Sequence, residues 1–150
     1  MVGKTDNPHF IAGIEDFIRR TCHYVPFGMT VIPELKNNKK RGADQQRVQE
    51  GQLILKKIEP ADTVVLLDER GREFRSVELA AWLEKKQQSV RKLVFVIGGP
   101  YGFSPEVYAR ANEKISLSKL TFSHQMVRLI FVEQLYRACT ILKGEPYHHE

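Results

Sequence analysis

The residues best suited to chemistry lie in the closing run Glu145-Pro146-Tyr147-His148-His149-Glu150, which follows a helix bearing Arg128 and Arg137 off its apolar stripe. An imidazole titrates near neutral pH and can move a proton, an aromatic ring can stack on a base, and a guanidinium can hold a phosphate. Together they suit contact with a nucleic acid. Metal binding is not expected, because neighbouring histidines point in different directions along any regular backbone and no Cys or Asp stands at zinc spacing from them.

A second chemical feature lies upstream. The apolar run Leu93-Val94-Phe95-Val96-Ile97 opens into Gly98-Gly99-Pro100-Tyr101-Gly102-Phe103. A β-branched and aromatic run ending in paired glycines reads as a buried parallel strand whose carboxyl end faces a ligand crevice. Gly98 and Gly99 could take positive φ and let backbone amides approach a ligand; a tight strand-to-helix turn is the plainer alternative. Neither G-x-G-x-x-G with an acid about twenty residues on nor G-x-x-x-x-G-K-[ST] is present, so a Rossmann dinucleotide site and a P-loop are both unsupported. Thr63-Val64-Val65-Leu66-Leu67 forms a second strand run, stopping at Asp68-Glu69-Arg70-Gly71, whose composition reads as another crevice loop.

The elements that must position these groups follow from local signals. Asn7 as cap and Pro8 at the first helical position, with Phe10, Ile14, Phe17 and Ile18 at helical spacing, predict a helix to about Arg20. Met29 to Ile32 reads as a short strand ended by Pro33, and Lys36 to Gly42 as a basic loop or a phosphate-contacting arm. Asp44 is placed to cap a helix from Gln45 to Lys57 with Val48, Leu53, Ile54 and Leu55 inward, and Ser76 to cap one through Trp82 to about Lys86. Ser104-Pro105-Glu106 starts a helix to about Asn112. The last helix, Gln125 to Leu142, carries a stripe of Val127, Ile130, Phe131, Gln134, Leu135, Ala138 and Leu142, with Arg128 and Arg137 off it; the stripe suits core packing or half of a dimer interface. Gly144 ends it. Alternating strands and helices of these lengths predict one α/β domain over 1–150, with a largely parallel sheet covered by helices on both faces.

Composition sets the outer limits. At 150 residues, 42% hydrophobic and 27% charged, the chain has room for a sizeable core and is ordinary for a globular protein. A net charge of +5 and a pI near 9.3 favour polyanionic partners, nucleic acid ahead of membrane. Cys22 and Cys139, with no C-x-x-C, read as reduced thiols. No membrane-length apolar stretch or signal-peptide core is visible, so a soluble, cytoplasmic protein is expected.

Several motifs in combination carry a resemblance. Val96-Ile97-Gly98-Gly99-Pro100-Tyr101-Gly102, Ser116-Leu117-Ser118-Lys119-Leu120-Thr121-Phe122-Ser123-His124, Val127-Arg128, Glu133-Gln134-Leu135-Tyr136-Arg137-Ala138 and Pro146-Tyr147-His148 resemble the ribosomal RNA large subunit methyltransferase H family of small SPOUT-class enzymes. The resemblance implies a SPOUT-type knotted α/β fold, a homodimer, S-adenosylmethionine as cofactor, and N3 methylation of a pseudouridine in large-subunit (23S) ribosomal RNA, free or in the assembled ribosome. A non-catalytic RNA-binding or ribosome-assembly module is the alternative.

Carried over by position, the implied cofactor site falls on Leu67, Gly98, Leu117, Ser118, Lys119, Leu120, Thr121 and Phe122. Main-chain groups of Gly98 and the 117–122 segment would hold the adenine, flanked by Leu67, Leu117 and Leu120. His148, Tyr147 and Arg137 are the implied catalytic groups, with His148 as candidate proton acceptor, and His124, Arg128 and His149 the implied RNA contacts. Two departures stand out. Relatives usually begin with a full apolar strand before the segment matching Val2-Gly3-Lys4-Thr5, and many have Arg or Lys where this chain has His149.

Overall fold

The computed structural model describes residues 1–35 and 42–150, so most of the basic run from Lys36 lies outside the described residues. Among the described residues eight elements follow in order: α1 (Pro8–Thr21), α2 (Ala43–Leu55), β1 (Thr63–Glu73), α3 (Ser76–Ser89), β2 (Leu93–Ile97), α4 (Pro105–Arg110), β3 (Glu113–Ser116) and α5 (Met126–Leu142). They gather into two compact units. The first holds Met1–Lys4, Thr30–Arg72 and Val90–Ser116, and the second Thr5–Met29, Glu73–Ser89 and Leu117–Glu150.

The first unit is built on a three-stranded sheet of order β2-β1-β3. β1 and β2 run parallel, in register from Thr63 opposite Leu93 to Leu67 opposite Ile97. Val64, Val65 and Leu66 are all fully buried, so both faces of β1 are covered, as expected of a parallel strand. Asn112 ties the start of β3 to β1: its N–H donates to the Val64 carbonyl and its Oδ1 accepts from the Val64 N–H, both at 2.8 Å. The core packs Val64, Leu66 and Val96 with Ile54 of α2 and Phe103 and Val107 around α4, while Leu53 and Leu55 flank it. Ser104 caps α4 by accepting from the Val107 N–H, as its position before Pro105 predicts.

Several expectations need correction here. The 68–71 stretch is not a loop: β1 continues to Glu73, beyond its last pair with β2. Gly71 lies against the Ile115 backbone, where an added Cβ would come within 2.6 Å of the Ile115 N, Cα and C atoms, so β3 sustains the strand while the charged side chains point to water. Neither β3 nor this pairing was legible from its four residues. The strand expected over Met29 to Ile32 reduces to an isolated bridge between Ile32 and Val2, and Val2 also donates to the Ile97 carbonyl at 3.1 Å. Gly42, not Asp44, stands at the N-cap of α2, and Asp44 instead pairs with Arg47 in the first turn. α3 begins at Ser76 itself, where Glu78 reaches back to the Arg75 N–H. α4 stops at Arg110, two residues early.

The second unit is helical, with α5 packed against both α1 and α3. Asn7 caps α1, its side chain accepting from His9 and Phe10. Ile14, Leu79, Leu83, Phe131, Val132, Leu135 and Ala138 are buried. The buried stripe of α5 differs from the predicted one: it runs through Arg128, Phe131, Val132, Leu135, Ala138 and Cys139, leaving Val127, Ile130, Gln134 and Leu142 half-buried. Arg128 can turn inward because its guanidinium donates to the Thr5 hydroxyl at 2.9 Å. Gly144 ends the helix at φ 68°, where a side chain would be strained.

Candidate functional site

In the first unit, the carboxyl ends of β1's paired portion and β2 bring Leu67 and Gly98 onto neighbouring strands, since Leu67 pairs with Ile97. Both are half-buried rather than sealed into the core. Gly98 and Gly99 do not take positive φ, contrary to expectation; in this loop that conformation belongs to Gly102, at 74°. What requires glycine at 98 and 99 is close packing. A Cβ on Gly98 would stand 3.1 Å from the buried Phe103 ring, and one on Gly99 3.0 Å from Oε2 of the buried Glu50. Gln46 orients that carboxylate through a 3.0 Å hydrogen bond to Oε1. The loop backbone is therefore held from behind, with Gly98 and Gly99 partly exposed on the other side.

Leu117 to Phe122 belong to the second unit and form no regular element. Ser118 Oγ accepts from the Leu120 N–H at 2.9 Å, an ST-type turn that leaves Leu120 74% exposed. Ser123 follows, its hydroxyl accepting from Met126 at the start of α5. His124 is exposed beside this helix start.

The tail residues converge on α5. Glu133 and Arg137 are one turn apart, and their side chains meet at 2.6 Å. Tyr147 donates to the same carboxylate oxygen at 3.0 Å, and its ring lies under the Arg137 guanidinium at 4.8 Å. Burial, and then the hydrogen bond to Glu133, push the Tyr147 phenol above its ordinary pKa. Tyr147 also meets Tyr136 edge to face at 4.8 Å, and Tyr136 packs on Phe17 and Tyr24. Arg137 Nη1 stands 3.2 Å from His148 Nδ1. Thus Arg137, Tyr147 and His148 form one cluster, whereas His149 is exposed and Arg128 faces the protein interior. Burial of Arg128 departs from the expected RNA contact and makes it a brace between α5 and Thr5.

Sequence reasoning passed over Glu133, the hub of this cluster, although a Glu four residues before an Arg on a helix signals a pair. It also passed over an open hollow of about 280 Å³ in the first unit, lined by Arg70, Tyr108, Ala111, Asn112 and Lys114. Among the described residues no group of three or more His, Cys, Asp or Glu side chains is disposed to hold a metal, and no helix is long and apolar enough to span a membrane.

Comparison with known proteins places these features in context. Residues 1–148 match the family model described as "Predicted SPOUT methyltransferase". The chain is 62% identical over 151 aligned residues to ribosomal RNA large subunit methyltransferase H of Phocaeicola vulgatus, covering 100% of this chain and 96% of that protein. Proteins of the same name from Porphyromonas gingivalis and Flavobacterium psychrophilum are 54% and 53% identical, with 96% of each covered by 100% and 99% of this chain, respectively.

Proposed function

This chain belongs to the SPOUT methyltransferase family, and we propose that it transfers a methyl group from S-adenosylmethionine to N3 of a pseudouridine in large-subunit ribosomal RNA. The observation that carries this reading is the full-length identity to proteins named for ribosomal RNA methylation. The first unit's geometry is compatible with it: Leu67, the last β1 residue paired with β2, and Gly98, just past the end of β2, stay partly exposed where the parallel pairing ends, the usual ligand position in parallel sheets. In this reading Gly98 and main-chain groups of Leu117, Ser118, Lys119, Leu120, Thr121 and Phe122 hold the adenosine, with Leu67, Leu117 and Leu120 as its apolar flank. When bound, the cofactor supplies an electrophilic methyl on a sulfonium. The chain's own part is to position the acceptor ring and exclude water.

Arg137, Tyr147 and His148 serve the RNA side, with His124 and His149 available to phosphate. The protein acts as a homodimer of SPOUT-type knotted chains, each a single methyltransferase domain, in which one copy's tail completes the other's site from the RNA side. Two variants test the cofactor and dimer readings together. Gly98→Val forces Phe103 aside and shifts the loop backbone, which should weaken calorimetric binding of the demethylated cofactor product about tenfold or more. His148→Ala should bind that product normally and methylate poorly. Mixed dimers of the two should regain methylation, because one intact pocket meets one intact tail. An inactive mixture would place tail and pocket on the same copy, and absence of product binding by the unaltered protein would refute the cofactor assignment.

A further inference from the structure

The geometry of the tail fixes more than its position. A guanidinium carries only donors, so the 3.2 Å contact from Arg137 Nη1 requires His148 Nδ1 to offer its lone pair. An imidazolium, or the neutral ring with its proton on Nδ1, would set N–H against N–H. The ring is therefore neutral with its proton on Nε2. That Nε2 is buried and has no hydrogen-bond partner among the described residues. It is a donor without an acceptor.

The guanidinium holds this orientation because its other arm is fixed. Arg137 Nη2 donates to Glu133 Oε1 at 2.6 Å, Tyr147 donates to the same oxygen at 3.0 Å, and Gln134 donates to Oε2 at 2.7 Å. Both carboxylate oxygens are occupied. The pair is largely withdrawn from solvent, with side chains 25% and 19% exposed, so the charge-assisted contact is little screened.

We infer that Glu133 is a positioning residue which, through Arg137, locks His148 in the Nε2–H form, so that His148, once RNA docking displaces the groups that cover Nε2, donates to a carbonyl oxygen of the substrate ring and does not act as the base. The inference rests on the proposed pseudouridine reaction. In that ring N3–H lies between two carbonyls. The N3–H bond breaks before the site closes around the ring: the proton passes to solvent water and its electron pair stays on the ring, spread over the two carbonyl oxygens. A preorganised donor aimed at one of them stabilises that charge, as in an oxyanion hole. His148 promotes loss of the proton without accepting it.

The test uses the intact protein with 15N-labelled histidine. Long-range proton–nitrogen spectra should show the neutral Nε2–H form of His148 near pH 7, and Glu133→Gln should convert it to a mixture of tautomers with demethylated-product affinity unchanged. Circular dichroism melts of that variant check that α5 still folds. In RNA methylation, His148→Ala should lower kcat about 10²-fold, the scale of losing one such donor, whereas His148→Gln, whose amide can donate but cannot take a proton, should recover most of the loss. An Nδ1–H form in the unaltered protein, or a Gln variant as poor as the Ala variant, overturns the inference. If the unaltered protein fails to methylate pseudouridine-containing RNA, the proposed reaction is refuted, while the tautomer still reports on Glu133.

Discussion

Gly51 sits in the middle of α2, where intrinsic propensity favours alanine by about 1 kcal/mol. An exposed helical site would be stabilised by Gly51→Ala. Here the added Cβ would collide with Ser104 Oγ and stand 3.0 Å from Ser104 Cβ and 3.2 Å from Val107 Cγ2. Ser104 is fully buried and caps α4, so its hydroxyl cannot swing to solvent. Displacing it forfeits the cap, about 1 kcal/mol. Forcing α2 from α4 adds about 1–3 kcal/mol of overpacking. The net expectation is a loss of about 2 kcal/mol, or about 4–8 °C in Tm for a chain of this size. Differential scanning calorimetry of Gly51→Ala, Ser104→Ala and the double variant tests it. Removing the Ser104 hydroxyl relieves the closest contact, so the double variant should be less destabilised than the two singles combined, with a coupling of at least about 0.5 kcal/mol. A Gly51→Ala protein that melts higher, or strictly additive losses, would refute this account of how α2 meets α4.

Two further predictions follow from titratable groups. Burial, then the hydrogen bond to Asp68, push Tyr108 up to about 12, and a hydrogen bond to Glu145 does the same for Tyr24. Each phenol therefore keeps its proton longer when folded than unfolded, so the stability it contributes is whole below about pH 10 and is lost as pH rises towards 12; with Tyr147 raised as well, ultraviolet titration should show three late phenols, and Tyr108→Phe should remove one. Cys22 is exposed and Cys139 buried, with burial raising the Cys139 thiol, so a disulfide-exchange reagent should label one thiol rapidly in the native protein and two in denaturant.

Much of the framework was legible because its signals are local. Asn7-Pro8, Ser104-Pro105 and Gly144 mark helix ends by the side chain or dihedral that each end needs, and the structure uses all three in that way. The apolar runs at 63–67 and 93–97 likewise became adjacent parallel strands. Expectations failed where a distant partner decides. Asp68 to Gly71 reads as a loop until the Ile115 backbone lies beside Gly71, and Arg128 reads as a surface cation until Thr5 offers it an acceptor. The tail cluster was legible as a set of residue types. Its hub was not, since a carboxylate that receives Arg137, Tyr147 and Gln134 looks in sequence like any helical acid.

The two compact units are interleaved along the chain, each assembled from three separate segments. No single cut separates them, and neither can be expressed alone as a continuous fragment. During vectorial synthesis the first unit cannot close until Ser116 has emerged, and the second must wait for the tail that docks on α5. Helix α1 is made early and meets its main partner, α5, more than a hundred residues later. Until then its apolar face has no native surface to cover it. Such non-local closure slows folding and lengthens exposure of apolar surface. The order of synthesis therefore sets how long α1 waits for α5, a property separable from the final structure.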